Sequence, residues 1–199
     1  MADYLTTLGL KLPSDPRWVD IAKMNLADIL IDHAFCEQKA ASSCISLIVK
    51  YPEKQKLIEV MTPVVTEEWG HFQRVLKEMD KRGIQLTKAR KDEYVAALLK
   101  CGKKGGSREE QLMEDVLICA MIEARSAERF KLLSEEISDE KLKKFYFELM
   151  VSEAGHYKNF IELAEEYNPK EKVQKRWQEL LRQEAEIMKN LEVRPDRFH

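Results

Sequence analysis

Little in this sequence favours strands, loops or a membrane. Glycine and proline number only 7 and 6 in 199 residues, fall mostly between apolar-periodic stretches, and leave no strand-like alternation of useful length. That argues against a fold built on a sheet. No apolar run approaches the length of a bilayer span, and the polar start Met1-Ala2-Asp3-Tyr4 lacks the basic and apolar blocks of a secretion signal. A cytoplasmic protein with no membrane partner is expected. The four cysteines, Cys36, Cys44, Cys101 and Cys119, contain no CxxC pair, so buried thiols rather than a redox or metal pair are the expectation. An excess of one charge is lacking too: 33 basic against 35 acidic residues leave a formal −2, with no global bias toward nucleic acid or anionic lipid.

What the chain does have is apolar content, 44% over 199 residues, enough for one domain over 1–199 with a sizeable core. Its period is helical. Asp15-Pro16 offers an N-cap and a first-turn proline, and Leu26, Leu30, Ala40, Cys44 and Leu47 share a face, predicting a first helix over about 16–50. Tyr51-Pro52 breaks it, and Leu57, Met61, Val64, Val75 and Met79 carry a second helix over about 53–82, which contains Pro63 and stops at Gly83. After a long connection, Leu112, Val116, Ala120, Ala127 and Phe130 mark a third helix, about 108–135. Ser138-Asp139 then caps a fourth, about 139–167, with Leu142, Leu149 and Phe160 on its face. A charged segment around Trp177, about 170–190, reads as a fifth helix, followed by a tail that the pattern does not place.

The apolar stripes are interrupted at chosen places. Glu37 takes a core position between His33 and Ala40, and Glu68 and His71 take two between Val64 and Val75. Glu123 lies between Ala120 and Ala127, and Glu153 and His156 between Leu149 and Phe160. The pattern, Glu and then Glu-x-x-His, occurs twice at matched spacing, 31 residues from Glu37 to Glu68 and 30 from Glu123 to Glu153. Four glutamates inside an apolar core are prohibitive as unpaired anions. Two divalent cations offset them, each taking one imidazole, and oxygen and nitrogen donors in this number suit iron or manganese. This is the ligand set of di-iron carboxylate proteins, one Glu from each of two helices and Glu-x-x-His from each of the other two. It predicts an all-α, ferritin-like four-helix bundle with a long crossover between helices two and three and an extra C-terminal helix. A single Glu-x-x-His would mean little; two copies using two of only four histidines carry the case. His33 is expected to be a core or supporting histidine, and Glu67 to be solvated. Asp28, Asp32 and Asp115 could orient the ligand imidazoles or be surface charges, and Cys36 and Cys119 are expected to be structural thiols.

The connection between helices two and three is basic. From Lys81 to Arg108 the net charge is +7, which leaves −9 on the rest of the chain. Lys88, Arg90, Lys91, Lys103, Lys104 and Arg108 are candidate phosphate contacts, with Gly102-Lys103-Lys104-Gly105-Gly106 as a loop suited to holding a nucleic-acid backbone. A solvated crossover is the plainer reading of the same run.

The stretch Asp32-His33-Ala34-Phe35-Cys36-Glu37-Gln38-Lys39-Ala40-Ala41, with Glu67-Glu68-Trp69-Gly70-His71-Phe72, Glu123-Ala124-Arg125-Ser126 and Ser152-Glu153-Ala154-Gly155-His156, resembles the tRNA methylthio-isopentenyl-adenosine hydroxylases. The resemblance runs from the first predicted helix through the fourth. It implies two non-haem iron ions held by Glu37, Glu68, His71, Glu123, Glu153 and His156, with Glu68 and Glu153 bridging. It also implies O2 as co-substrate, an external electron donor, and a tRNA anticodon stem-loop as partner. The implied reaction is hydroxylation of the isopentenyl side chain of 2-methylthio-N6-isopentenyladenosine next to the anticodon, by a monomer or small homo-oligomer. Ferritin-like iron oxidation and rubrerythrin-like peroxidase activity are the alternatives, the latter weakened by the missing CxxC pairs of a rubredoxin part. Manganese catalase and a metal-free helical interaction module stand further off.

Overall fold

The computed structural model describes residues 8–198, and all of the regular structure among them is helical. The chain divides into two compact units. One comprises Asp20–Lys91 with Arg194–Phe198; the other comprises 8–19 and Asp92–Val193.

The first unit is a helix pair. Helix α1 (Pro16–Met24) enters it, α2 spans Leu26–Lys50 and α3 spans Gln55–Asp80. The single helix expected over 16–50 is divided at Asn25, whose side-chain amide donates to the Ile21 carbonyl at 2.8 Å. A short polar side chain that bonds its own backbone offers the chain an alternative to continuing the helix. The four residues 51–54 turn the chain back, so α2 and α3 pack side by side along their lengths. Leu30, Ala41, Cys44 and Leu47 of α2 are buried, as are Leu57, Met61, Val64, Val75 and Met79 of α3. Leu26 and Ala40, expected on the inner face of α2, are half-buried. Helix α3 continues through Pro63 and ends where Gly83 takes φ +67°, letting the Ile84 N–H reach back to the Met79 carbonyl.

The second unit holds α4 (Glu93–Leu99), α5 (Arg108–Glu136), α6 (Glu140–Tyr167) and α7 (Lys170–Asn190). Helix α4 lies in the connection that the apolar period left unassigned; seven residues are too few to show a stripe, but Asp92 caps it by accepting from the Val95 N–H. Helix α5 begins with a capping box in which Ser107 and Glu110 satisfy each other's backbone N–H. Asp139 caps α6 by accepting from Lys141 and Leu142. Helices α5 and α6 make the unit's most extensive contact, and α4 and α7 lie against them. Val116, Ala120, Ala127 and Phe130 of α5 and Leu142, Leu149 and Phe160 of α6 are fully buried. Phe130 stacks on Tyr146.

Within this core sits a charged network. Arg125, with no solvent exposure, donates to Glu184 of α7 through Nε (2.9 Å) and Nη2 (2.7 Å), to Glu128 (3.1 Å) and to the Leu12 carbonyl (2.9 Å). Glu128 also accepts from the backbone N–H and hydroxyl of Ser14, and the Tyr94 hydroxyl donates to Glu184. Burial and the neighbouring Arg125 pull Arg129 down to about 10. No helix among the described residues is long and apolar enough to cross a membrane.

Candidate metal centre

Each unit contains one Glu plus Glu-x-x-His triad. In the first, Glu37 projects from α2 and Glu68 and His71 from one face of α3, three positions apart. All three are buried, and each offers a ligand atom within 4.8 Å of the others. The His71 Nδ1 lies 3.5 Å from Glu37 Oε2 and 3.8 Å from Glu68 Oε2. In the second, Glu123 of α5 and Glu153 and His156 of α6 are equally buried, their donor atoms again within 4.8 Å. The His156 Nδ1 is 3.2 Å from Glu153 Oε2, and its ring stacks on Phe160.

These separations fit a cation. Donors sharing one metal through bonds of about 2.0–2.2 Å stand at most about 4.4 Å apart, and the measured 3.2, 3.5 and 3.8 Å fall inside that limit. Two buried carboxylates per triad also carry a negative charge whose burial is unfavourable unless a cation is taken up. The six residues singled out in the sequence are therefore brought together three and three.

Around the first triad, His33 is fully buried, with Nε2 2.6 Å from Glu37 Oε1. Of the aspartates considered as imidazole partners, Asp28 is paired with Arg90 and Asp32 accepts the Phe198 N–H at 2.8 Å; Asp115 is half-buried on α5. Glu67 is exposed, as expected. Near the second triad, burial together with Glu123 and Asp115 pushes the Cys119 thiol up to about 12, which favours its neutral form. No disulfide is found among the described residues, and His199 lies outside them.

The candidate phosphate contacts divide between the units. Lys88 and Lys91 are exposed in the first, where Arg90 is engaged with Asp28 and with the Asp196 carbonyl at 3.2 Å. In the second, Lys104 and Arg108 are exposed and the Lys103 ammonium pairs with Glu179 at 2.7 Å. Lys103 and Lys104 line a cleft of about 370 Å³ that also takes Lys172, Lys175 and Arg176 from α7. The cleft's carboxylates are already matched: Glu110 by Lys172, Glu114 by Arg176, and Glu179 by Lys103 and Arg176. Lys104 and Lys175 make no ion pair among the described residues, so they set its excess positive charge. The α7 residues were missed in the sequence, although Lys172, Lys175 and Arg176 recur at helical spacing.

Residues 6–199 match the family described as tRNA-(MS[2]IO[6]A)-hydroxylase (MiaE). The chain is 37% identical over 158 residues to the tRNA 2-(methylsulfanyl)-N(6)-isopentenyladenosine(37) hydroxylase of Pseudomonas putida, covering 79% of this chain and 76% of that protein. It is 29% identical over 243 residues to the enzyme of the same name from Salmonella typhimurium, covering 96% and 87%. Among solved structures it is similar to protein 43 with aldehyde deformylating oxygenase activity from Synechococcus, with a TM-score of 0.88 and 33% identity over 94% of this chain and 92% of that one. The fold is thus the all-α, ferritin-like one expected, and the chain belongs to the tRNA-(MS[2]IO[6]A)-hydroxylase family.

Proposed function

We propose that this chain is an O2-dependent di-iron hydroxylase of tRNA, acting on the isopentenyl side chain of 2-methylthio-N6-isopentenyladenosine next to the anticodon. The observation that carries the reading is the pair of buried Glu plus Glu-x-x-His triads, supported by the names of the relatives. On this reading the two units act as one domain over 1–199.

Glu37, Glu68 and His71 would hold one iron, and Glu123, Glu153 and His156 the other. Bound iron would supply the redox chemistry by which dioxygen and two electrons from a separate donor protein put one oxygen into a C–H bond and release the other as water. The chain's residues do the rest. The carboxylates would neutralise the cations and the imidazoles would complete the donor set; Met61, Val64 and Val75 on the helix of Glu68 and His71, and Ala120, Ala127 and Phe160 on those of Glu123 and His156, are buried and would keep each triad's surroundings dry and suited to a hydrocarbon prenyl tail. Lys88, Lys91, Lys104 and Arg108, with Lys175, would hold backbone phosphates of the anticodon stem-loop, and the modified base would leave its stack to reach the metals. The setting is the cytoplasm, as a monomer or small homo-oligomer.

The test is anaerobic reconstitution with ferrous iron, followed by dioxygen, reductant and isopentenylated tRNA, with mass analysis of the digested nucleosides. One oxygen gained on the prenylated adenosine, and lost in folded Glu68→Ala and Glu153→Ala proteins, supports the proposal. Iron binding and oxygen consumption with an unchanged nucleoside overturn the substrate.

A further inference from the structure

The two triads match in ligands but differ one turn upstream. Four residues before Glu37 stands His33, and four residues before Glu123 stands Cys119. An imidazole N–H is a strong donor and a thiol a weak one, so the residue one turn upstream can support Glu37 in a way that its counterpart cannot support Glu123. A carboxylate only accepts, hence the 2.6 Å contact is His33 Nε2–H donating to Glu37 Oε1. That contact fixes one oxygen of Glu37 and leaves Oε2, 3.5 Å from His71 Nδ1, on the side of the ligand set.

The His33 ring must itself be held, since its second torsion is soft. Phe198, from the far end of the described chain, does this. Its ring stacks on His33 with centroids 5.3 Å apart and planes 22° apart. Phe198 has no solvent exposure, and its N–H donates to Asp32, the residue next to His33. The same segment is tied down twice more: Arg197 Nε donates to the Lys91 carbonyl at 3.1 Å, and Arg90 donates to the Asp196 carbonyl.

We propose that Phe198 acts through His33 as a positioning residue for Glu37, strengthening metal binding at the α2–α3 triad. The proposal rests on the reading that both triads bind metal. Partners of metal ligands typically contribute about 10–100-fold in affinity, so losing either support weakens one position by at least about 10-fold and leaves the other unchanged.

The experiment is stepwise Co(II) titration of the unloaded full chain, followed by its visible absorption, with far-UV circular dichroism and melting as folding controls. Wild type is expected to bind two ions in two steps. His33→Leu and Phe198→Leu should each weaken one step by about 10-fold or more and alter the absorption of that ion alone. His33→Gln, which keeps an N–H near the Nε2 position, should recover most of the loss, a rescue that packing alone does not give. Should Phe198→Leu fail to fold, the His33→Leu and His33→Gln pair decides. Wild-type affinities and spectra in folded His33→Leu, or equal weakening of both steps, would overturn the positioning role while leaving the metal reading intact. Failure of wild type to bind two ions would overturn both.

Discussion

Replacing Arg125 with methionine removes the centre of the buried network while keeping its bulk. Arg125 makes two hydrogen bonds to Glu184, one to Glu128 and one to the Leu12 carbonyl, and both Arg125 and Glu184 are fully buried. Hydrogen bonds to charged groups are each worth about 1.5–3 kcal/mol, but they share one charge and do not add. Breaking a buried pair by removing one partner costs about 3–5 kcal/mol. At roughly 2–4 °C per kcal/mol for a chain of this size, melting should fall by about 6–20 °C. The deficit should also depend on pH. Burial already holds the Glu184 carboxyl above its ordinary value of 4.5 against the pull of Arg125, and without the arginine it rises further. A carboxyl whose folded value exceeds its unfolded one costs stability as pH rises between the two, so the deficit is small at and below pH 4.5 and grows toward neutrality. Arg125→Met/Glu184→Leu should recover most of the loss, since an ion pair replaced by apolar groups is often neutral. Melting of chelator-treated protein from pH 4 to 8 measures all of this. A deficit below about 1 kcal/mol at pH 7, or one that does not change with pH, refutes the reasoning.

Three further outcomes follow from the site and its scaffold. Lys104→Gln and Lys175→Gln should each weaken tRNA binding and reduce the slope of log affinity against log salt by about 0.9, read from filter binding at several salt concentrations; unchanged slopes would remove the cleft from the tRNA surface. Asp139→Ala should cost about 0.5–2 kcal/mol by uncapping α6, seen as a melting shift of a few degrees without loss of metal binding. Metal at 100 times its dissociation constant should stabilise the protein by about 2.7 kcal/mol per ion, and Glu153→Gln should lose part of that gain in calorimetry.

The candidate ligands were legible because a buried stripe of period 3.6 makes every inward carboxylate conspicuous: Glu37, Glu68, Glu123 and Glu153 break runs of Leu, Val and Ala. Helix ends were legible where their chemistry is local, as at Tyr51-Pro52 and Asp139. Contacts between distant parts of the chain were not. Arg125 reads as a surface arginine until Glu184, 59 residues away, is set beside it, and the tail could not be placed because Phe198 meets Asp32 at a separation of 166 residues. The break at Asn25 escaped notice because the apolar period runs across it, and Lys172 and Lys175 because charges on an outer face look alike until a cleft gathers them.

The make-up of the first unit has a consequence for synthesis. The segment that holds its helix pair ends at Lys91, but the strip that closes over His33 begins at Arg194, about a hundred residues later. At roughly 5–20 residues per second on the ribosome, α2 and α3 wait about 5–20 s before that strip is made. The nascent hairpin therefore carries its three candidate ligands without the cover of that strip, and His33 gains its stacking partner only once the strip has been made.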